Sequence, residues 1–195
     1  MDKMTKKIVG AFAAIIAVAG VILAVFFIVG RQDDGSKRST LETLANKDLD
    51  NAYPGTPTEL VKLYWRYNQF MYSKKLSDKE METLMRQLRK LYDDELLAQD
   101  ENSEENMLKN LKKDKENRGN ETIVSTIVQK YESVKVETSK GESYATVYVA
   151  VNVKKSGKTS KFFESMRCRT DQNKKWKILG WKTATQQEAI KAGIE

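Results

Sequence analysis

The side chains that carry most enzymatic chemistry are scarce in this sequence. There is no histidine among its 195 residues. That removes the commonest general base, the commonest metal ligand and every Ser-His or Cys-His nucleophile arrangement. Cys168 is the only cysteine, so no internal disulfide forms and no Cys/His cluster exists to hold a metal. Acid–base work would fall to a carboxylate, tyrosine or lysine with a shifted pKa. Asp93, Asp94 and Glu95 are adjacent, but residues one and two apart on a helix do not share a face, and they read as a solvated acidic turn. The expectation is a non-catalytic protein with no cofactor and no metal.

What remains is aromatic. Tyr64, Tyr67 and Phe70 lie in one apolar stripe of helical spacing. Tyrosine offers both the apolar wall and the placed polar group of a small-ligand site, so these three are the candidate ligand-binding residues. The plainer reading makes the stripe a face packed on a core. Tyr144, Tyr148 and Trp181 fall in strand-like runs, on the side expected to point away from the helices. Large aromatics there would form a docking surface for a protein partner or a second copy of the chain. The alternatives are that the rings cover their neighbours locally, or that a C-terminal segment lies over them.

These groups are positioned by a chain with a pronounced division. Ile8 to Val29 is an unbroken apolar run of twenty-two residues, enough for a helix to span roughly 30 Å of hydrocarbon. Before it, Lys3, Lys6 and Lys7 outweigh Asp2; after it, Arg31 is offset by Asp33 and Asp34. The positive-inside tendency puts residues 1–7 in the cytoplasm and the rest outside. A cleaved signal peptide shares the basic start, but its apolar stretch is about 7–15 residues and it ends in an A-x-A-like site absent here. Residues 30–56 are polar and turn-rich and read as a tether, with one short helix at Ser39-Thr40-Leu41-Glu42.

Residues 57–183 read as one extracytoplasmic domain. Thr56-Pro57 with Glu59, Ser77 with Glu80, and Ser103 open three helices, the second running to about Leu97 and the third ending at Arg118-Gly119-Asn120. The hydrophobic period then changes to two. Ala145, Val147, Val149, Val151 and Val153 share one face of a long strand, and Phe162, Met166 and Cys168 share one face of the next. Lys140-Gly141 and Ser156-Gly157 are tight turns, so consecutive strands pair antiparallel. Helices first and sheet second give an α+β domain with a three-helix layer on a curved antiparallel sheet of about four to five strands. Residues 184–195 read as a C-terminal tail, helical and frayed from Gln186 to Glu195. Charge follows this division, with a balance of −1 over residues 58–121 and +7 over residues 122–195. For an outward domain the basic half suggests an anionic envelope polymer or lipid headgroups, and no nucleic-acid motif is present.

The aromatic first helix (LVKLYWRYNQF), the second helix ending near LYDDELL, the long strands YATVYVAVNV and KFFESMRCRT, and the terminal Lys-Trp-Lys-Ile-Leu-Gly-Trp resemble the nuclear transport factor 2-like superfamily. The resemblance implies three helices packed into a cone formed by a cystatin-like curved sheet. With its single span and tether the chain also resembles bitopic assembly factors of type IV secretion and conjugation machines, and anchored proteins of Gram-positive bacteria. Enzymes of that superfamily use an Asp with a Tyr or His in the cone, and no such motif transfers here. The function expected is therefore a membrane-tethered interaction or scaffold domain. A small-ligand receptor using the cone interior is the alternative, and an enzyme the least favoured reading.

Overall fold

The computed structural model of the chain describes residues 34–72 and 76–194, with side chains from Thr40 onward. The run Ile8–Val29, the residues before it and the start of the expected tether lie outside them. Among the described residues no helix is long and apolar enough to cross a membrane. The chain divides into two compact units, Met1–Thr43 and Leu44–Glu195, and the second carries the fold described below.

The helices begin where the capping residues dictate, with one exception. α1 spans Asp34–Ala45, so Ser39 and Thr40 lie inside it and do not open it as the sequence suggests. α2 spans Pro57–Met71. The Glu59 amide donates to Thr56 Oγ1 at 3.1 Å and the Thr56 amide donates to the Glu59 carboxylate at 3.2 Å, a reciprocal cap. α3 spans Asp78–Arg89 and is closed the same way by Ser77 and Glu80. The apolar stripe continues to Leu97, yet the helix stops at Lys90. The Ile178 amide donates to Leu91 O, and the Asp93 amide donates to Ile178 O, both at 2.8 Å. Pairing with a strand edge thus pulls residues 91–93 out of the helix. α4, Asp94–Leu97, restarts with Asp93 as its cap, and α5, Glu104–Arg118, is capped by Ser103 and ends at Gly119, whose φ is +60°.

Five antiparallel strands follow: β1 (Thr122–Val128), β2 (Val136–Ser139), β3 (Glu142–Lys155), β4 (Lys158–Thr170) and β5 (Trp176–Ala184). The order is β1-β3-β4-β5, and β2 pairs with the other half of the β3 edge that β1 occupies. Both residues of the Lys140-Gly141 and Ser156-Gly157 turns have positive φ, the mirror-image turn whose twist suits a hairpin. Ala145, Val147, Val149, Val151 and Val153 are buried together with Met166, Cys168 and Ile178, and α2 and α3 bury Leu60, Val61, Leu84 and Leu88. Full burial of each Val, Leu or Ile is worth roughly 1.5–3 kcal/mol before its entropy cost. The domain is α+β, with helices packed on a curved antiparallel five-stranded sheet.

Two segments expected to hang free are docked. Leu44 and Leu49 are buried. Tyr67 Oη donates to Leu44 O at 3.2 Å and Gln87 Nε2 to Ala45 O at 2.9 Å. Tyr53 Oη donates to Trp176 O at 2.8 Å, with the Lys177 ammonium 4.8 Å from its ring centre. The second half of the expected tether is therefore part of the folded unit. At the other end, α6 (Gln186–Lys191) is closed by a reciprocal Thr185–Glu188 cap. Its Ala189, with Ile194 beyond it, packs on Ala150 on the outer side of the sheet, with Tyr148 and Phe163 alongside. The expected frayed tail is an ordered cover.

Candidate functional site

α2 presents Tyr64 and Trp65 to the sheet. Their rings meet edge-on at 5.5 Å, and Trp65 continues to Phe162 of β4 at 6.2 Å. Tyr64 lies 6.3 Å from Tyr92, which the strand-like segment 91–93 holds against β5. The Trp181 ring stands 5.8 Å from both Tyr64 and Tyr92. Tyr64 and Tyr92 are buried, whereas Trp181 remains 41% exposed. Burial pushes the Tyr64 and Tyr92 hydroxyls well above the usual tyrosine range. They stay neutral at any physiological pH.

Trp181 reaches this side through a bulge. On β5, Trp176 and Ile178 point into the core, so strict alternation would send residue 181 outward. The register instead shifts between Arg167 and Cys168, which pair with Gly180 and Ile178. Leu179 is the extra residue, and it resets the alternation so that Trp181 follows Ile178 onto the helix side. The expected placement of Trp181 beside Tyr144 and Tyr148 is thereby corrected.

The same register brings in a residue the sequence reading passed over. Glu164 pairs with Val149 on β3 and Thr183 on β5. It thus stands in the inward file between Phe162 and Met166, one step diagonally from Trp181. It is half-buried, and its carboxylate makes no hydrogen bond or ion pair among the described residues. Burial pushes its pKa up to about 7, and the nearby Arg118 guanidinium opposes that rise in part. Arg118 is itself held by Asp114 at 2.8 Å and Glu121 at 2.9 Å and lies 5.3 Å from the Tyr72 ring centre. Trp65 Nε1 is buried without a partner among the described residues. One side of the sheet thus carries an unpaired carboxyl and an unpaired indole N–H beside an aromatic wall. The signal in the sequence was a carboxylate at an inward position of a period-two strand.

The other expected site residues are dispersed. Tyr67 and Phe70 follow Tyr64 at three-residue steps, and each step winds about 60° round a helix away from the first position. Tyr67 is fully buried and bonded to Leu44 O, its hydroxyl pushed up to about 12 by burial. Phe70 is half-buried. Neither has a ring contact with the Tyr64 cluster. Tyr148 is half-buried beside α6, and Tyr144 donates to Glu142 at 2.6 Å with the Arg167 guanidinium 5.2 Å from its ring. The expected open docking face is therefore occupied. Asp93 is no solvated turn residue either. Its side chain is 4% exposed and takes a two-pronged grip from Arg169 at 2.6 and 3.1 Å, tying α4 to β4.

The chain belongs to the DUF6715 family. That family, described as a domain of unknown function, matches residues 1–181, from the apolar N-terminal run through Trp181. No curated protein and no solved structure matches the chain. Within this DUF6715 chain no group of three or more Asp, Glu or Cys side chains among the described residues is placed to hold a metal.

Proposed function

We propose that the chain is a non-catalytic, membrane-tethered extracytoplasmic domain that binds a small ligand where Tyr64, Trp181 and Glu164 meet. The observation that carries this reading is the Glu164 carboxyl, half-buried, without a hydrogen bond or ion pair among the described residues, and diagonally across from a partly exposed indole. A polar group left without a partner in apolar surroundings costs stability, and a ligand that completes its bonding offsets that cost. Small-molecule sites have this composition, an apolar wall with one or two placed polar groups.

Support for the membrane tether comes from the length of Ile8–Val29 and its basic flank. The long first helix, two further helices and the long β3–β4 hairpin support placement in the nuclear transport factor 2-like superfamily. Protein docking through the outer face loses ground because α6 and Glu142 engage Tyr148 and Tyr144. A different surface favours an anionic envelope polymer as additional partner. Lys154, Lys155, Lys158 and Lys161 crowd the exposed tip of the β3–β4 hairpin, Lys155 directly opposite Lys158. Like charges in that position cost stability unless something negative meets them.

The binding reading is tested on the full chain in uncharged detergent by thermal unfolding against a metabolite panel. A ligand at 100 times its Kd stabilises by about 2.7 kcal/mol and raises the midpoint. At least one compound should raise it for the wild type and leave Trp181→Ala unmoved. A flat response across a broad panel would count the reading out.

A further inference from the structure

The chemistry around Glu164 also narrows the class of ligand. Three aromatic rings, Tyr64, Tyr92 and Trp181, lie within 5.8–6.3 Å of one another. Both tyrosines are buried beneath the indole, so Trp181 is held in place while part of its surface stays open. An aromatic face is negative at its centre and attracts cations, indole most strongly. One diagonal step along the sheet stands the Glu164 carboxyl, which has no hydrogen bond or ion pair among the described residues. Arg118, the cation that acts on it among the described residues, is spoken for by Asp114 and Glu121 and stacked near Tyr72. It therefore brings little net positive charge to repel a visitor. A ring face that favours a diffuse positive charge, next to an unsatisfied negative one, suits an organic ammonium group better than a hydrated metal ion. The latter asks for several oxygen ligands, and among the described residues no cluster of them is placed to hold one.

Resting on the binding reading above, we infer that the site takes an alkylated or quaternary ammonium ligand, its charge against the Glu164 carboxylate and its methyl groups against Trp181. The cation requires Glu164 ionised, so affinity falls as pH drops below the carboxyl's own pKa, by up to tenfold per unit.

Choline chloride and its neutral carbon isostere, 3,3-dimethyl-1-butanol, make the matched probes. Each is titrated into the full chain in uncharged, choline-free detergent, with sodium chloride at the same ionic strength as the salt control. Tryptophan fluorescence reads binding, and Trp181→Phe shows which indole reports. The expected result is saturable binding of choline at pH 8, weakened by up to about tenfold at pH 6 and by at least about tenfold in Glu164→Gln, with the isostere bound much more weakly. Glu164→Gln preserves shape, and its unfolding midpoint confirms that it is folded. Equal binding of choline and isostere would overturn the cation assignment while leaving the ligand site standing. Undiminished choline binding by Glu164→Gln would overturn it as well. So would a failure of both probes to bind, in which case the panel experiment alone decides whether the site binds anything.

Discussion

At Glu164 the environment acts on one proton. The folded pKa near 7 lies above the ordinary glutamate value of 4.5, chiefly through burial. Between those two values the folded chain holds a proton that the unfolded chain has released, so stability falls as pH rises through that window and stays lowered above 7. Solvent reaching a half-buried group reduces the effect to about 1–2 kcal/mol. Glu164→Gln, neutral at every pH, should therefore gain about that much over wild type at pH 8 and almost nothing at pH 4.5. Urea unfolding of both proteins at the two pH values measures it. Equal stabilities at pH 8 would show that the carboxylate is hydrated at no cost. Cys168 is a contrasting case. It is fully buried and its thiol is pushed up to about 12 by that burial. It behaves as a small apolar side chain and is unreactive at neutral pH.

Among the elements, α6 decides what the outer face of the sheet can do. It has six residues and could not persist alone. Its reciprocal cap and the burial of Ala189 and Ile194 against Ala150 hold it in place. Deleting residues 186–195 would uncover Ala150, Tyr148 and Phe163 together. The truncated chain should bind a hydrophobic dye and self-associate, while the Tyr64–Trp181 cluster on the opposite side stays intact. Sedimentation velocity of the two forms in the same detergent reports it. An unchanged distribution with no added dye binding would mean that α6 covers nothing that matters for association. The β5 bulge has the opposite significance. One extra residue, Leu179, exchanges Trp181 from the outer face to the helix side and so completes the aromatic wall with Tyr64 and Tyr92. Element boundaries of this kind change function without changing composition.

For the whole molecule the outstanding proposal is topology. If Ile8–Val29 spans the membrane with its basic flank inside, every residue from Leu44 onward lies outside. Thr159, exposed in β4 near the hairpin tip, is a suitable reporter position. In intact cells a membrane-impermeant maleimide should label Thr159→Cys readily and leave the native Cys168 unlabelled until the protein is denatured. Labelling of Thr159→Cys only after the membrane is opened would reverse the orientation. Recovery of the mature chain free in the medium would remove the anchor altogether.

How much of this could be read without coordinates follows from the range of each interaction. Caps act over three residues, so Thr56–Glu59, Ser77–Glu80 and Ser103 were legible as helix starts. Period-two burial acts along one strand, so the file Ala145–Val153 and the α+β layout were legible too. The absence of histidine and the lone cysteine limited the chemistry before any fold was known. What the sequence could not disclose lies between elements. The strand-like pairing of residues 91–93 ends α3 early, although its apolar stripe runs on. The docking of Leu44, Leu49 and Tyr53 makes domain out of apparent tether. The cross-strand register of β4 and β5 brings Glu164 and Trp181 onto one side. Local propensity carries no information about which distant edge or ring a residue will meet. Only the packed tertiary structure, where those edges compete for the same hydrogen bonds and the same buried area, determines it.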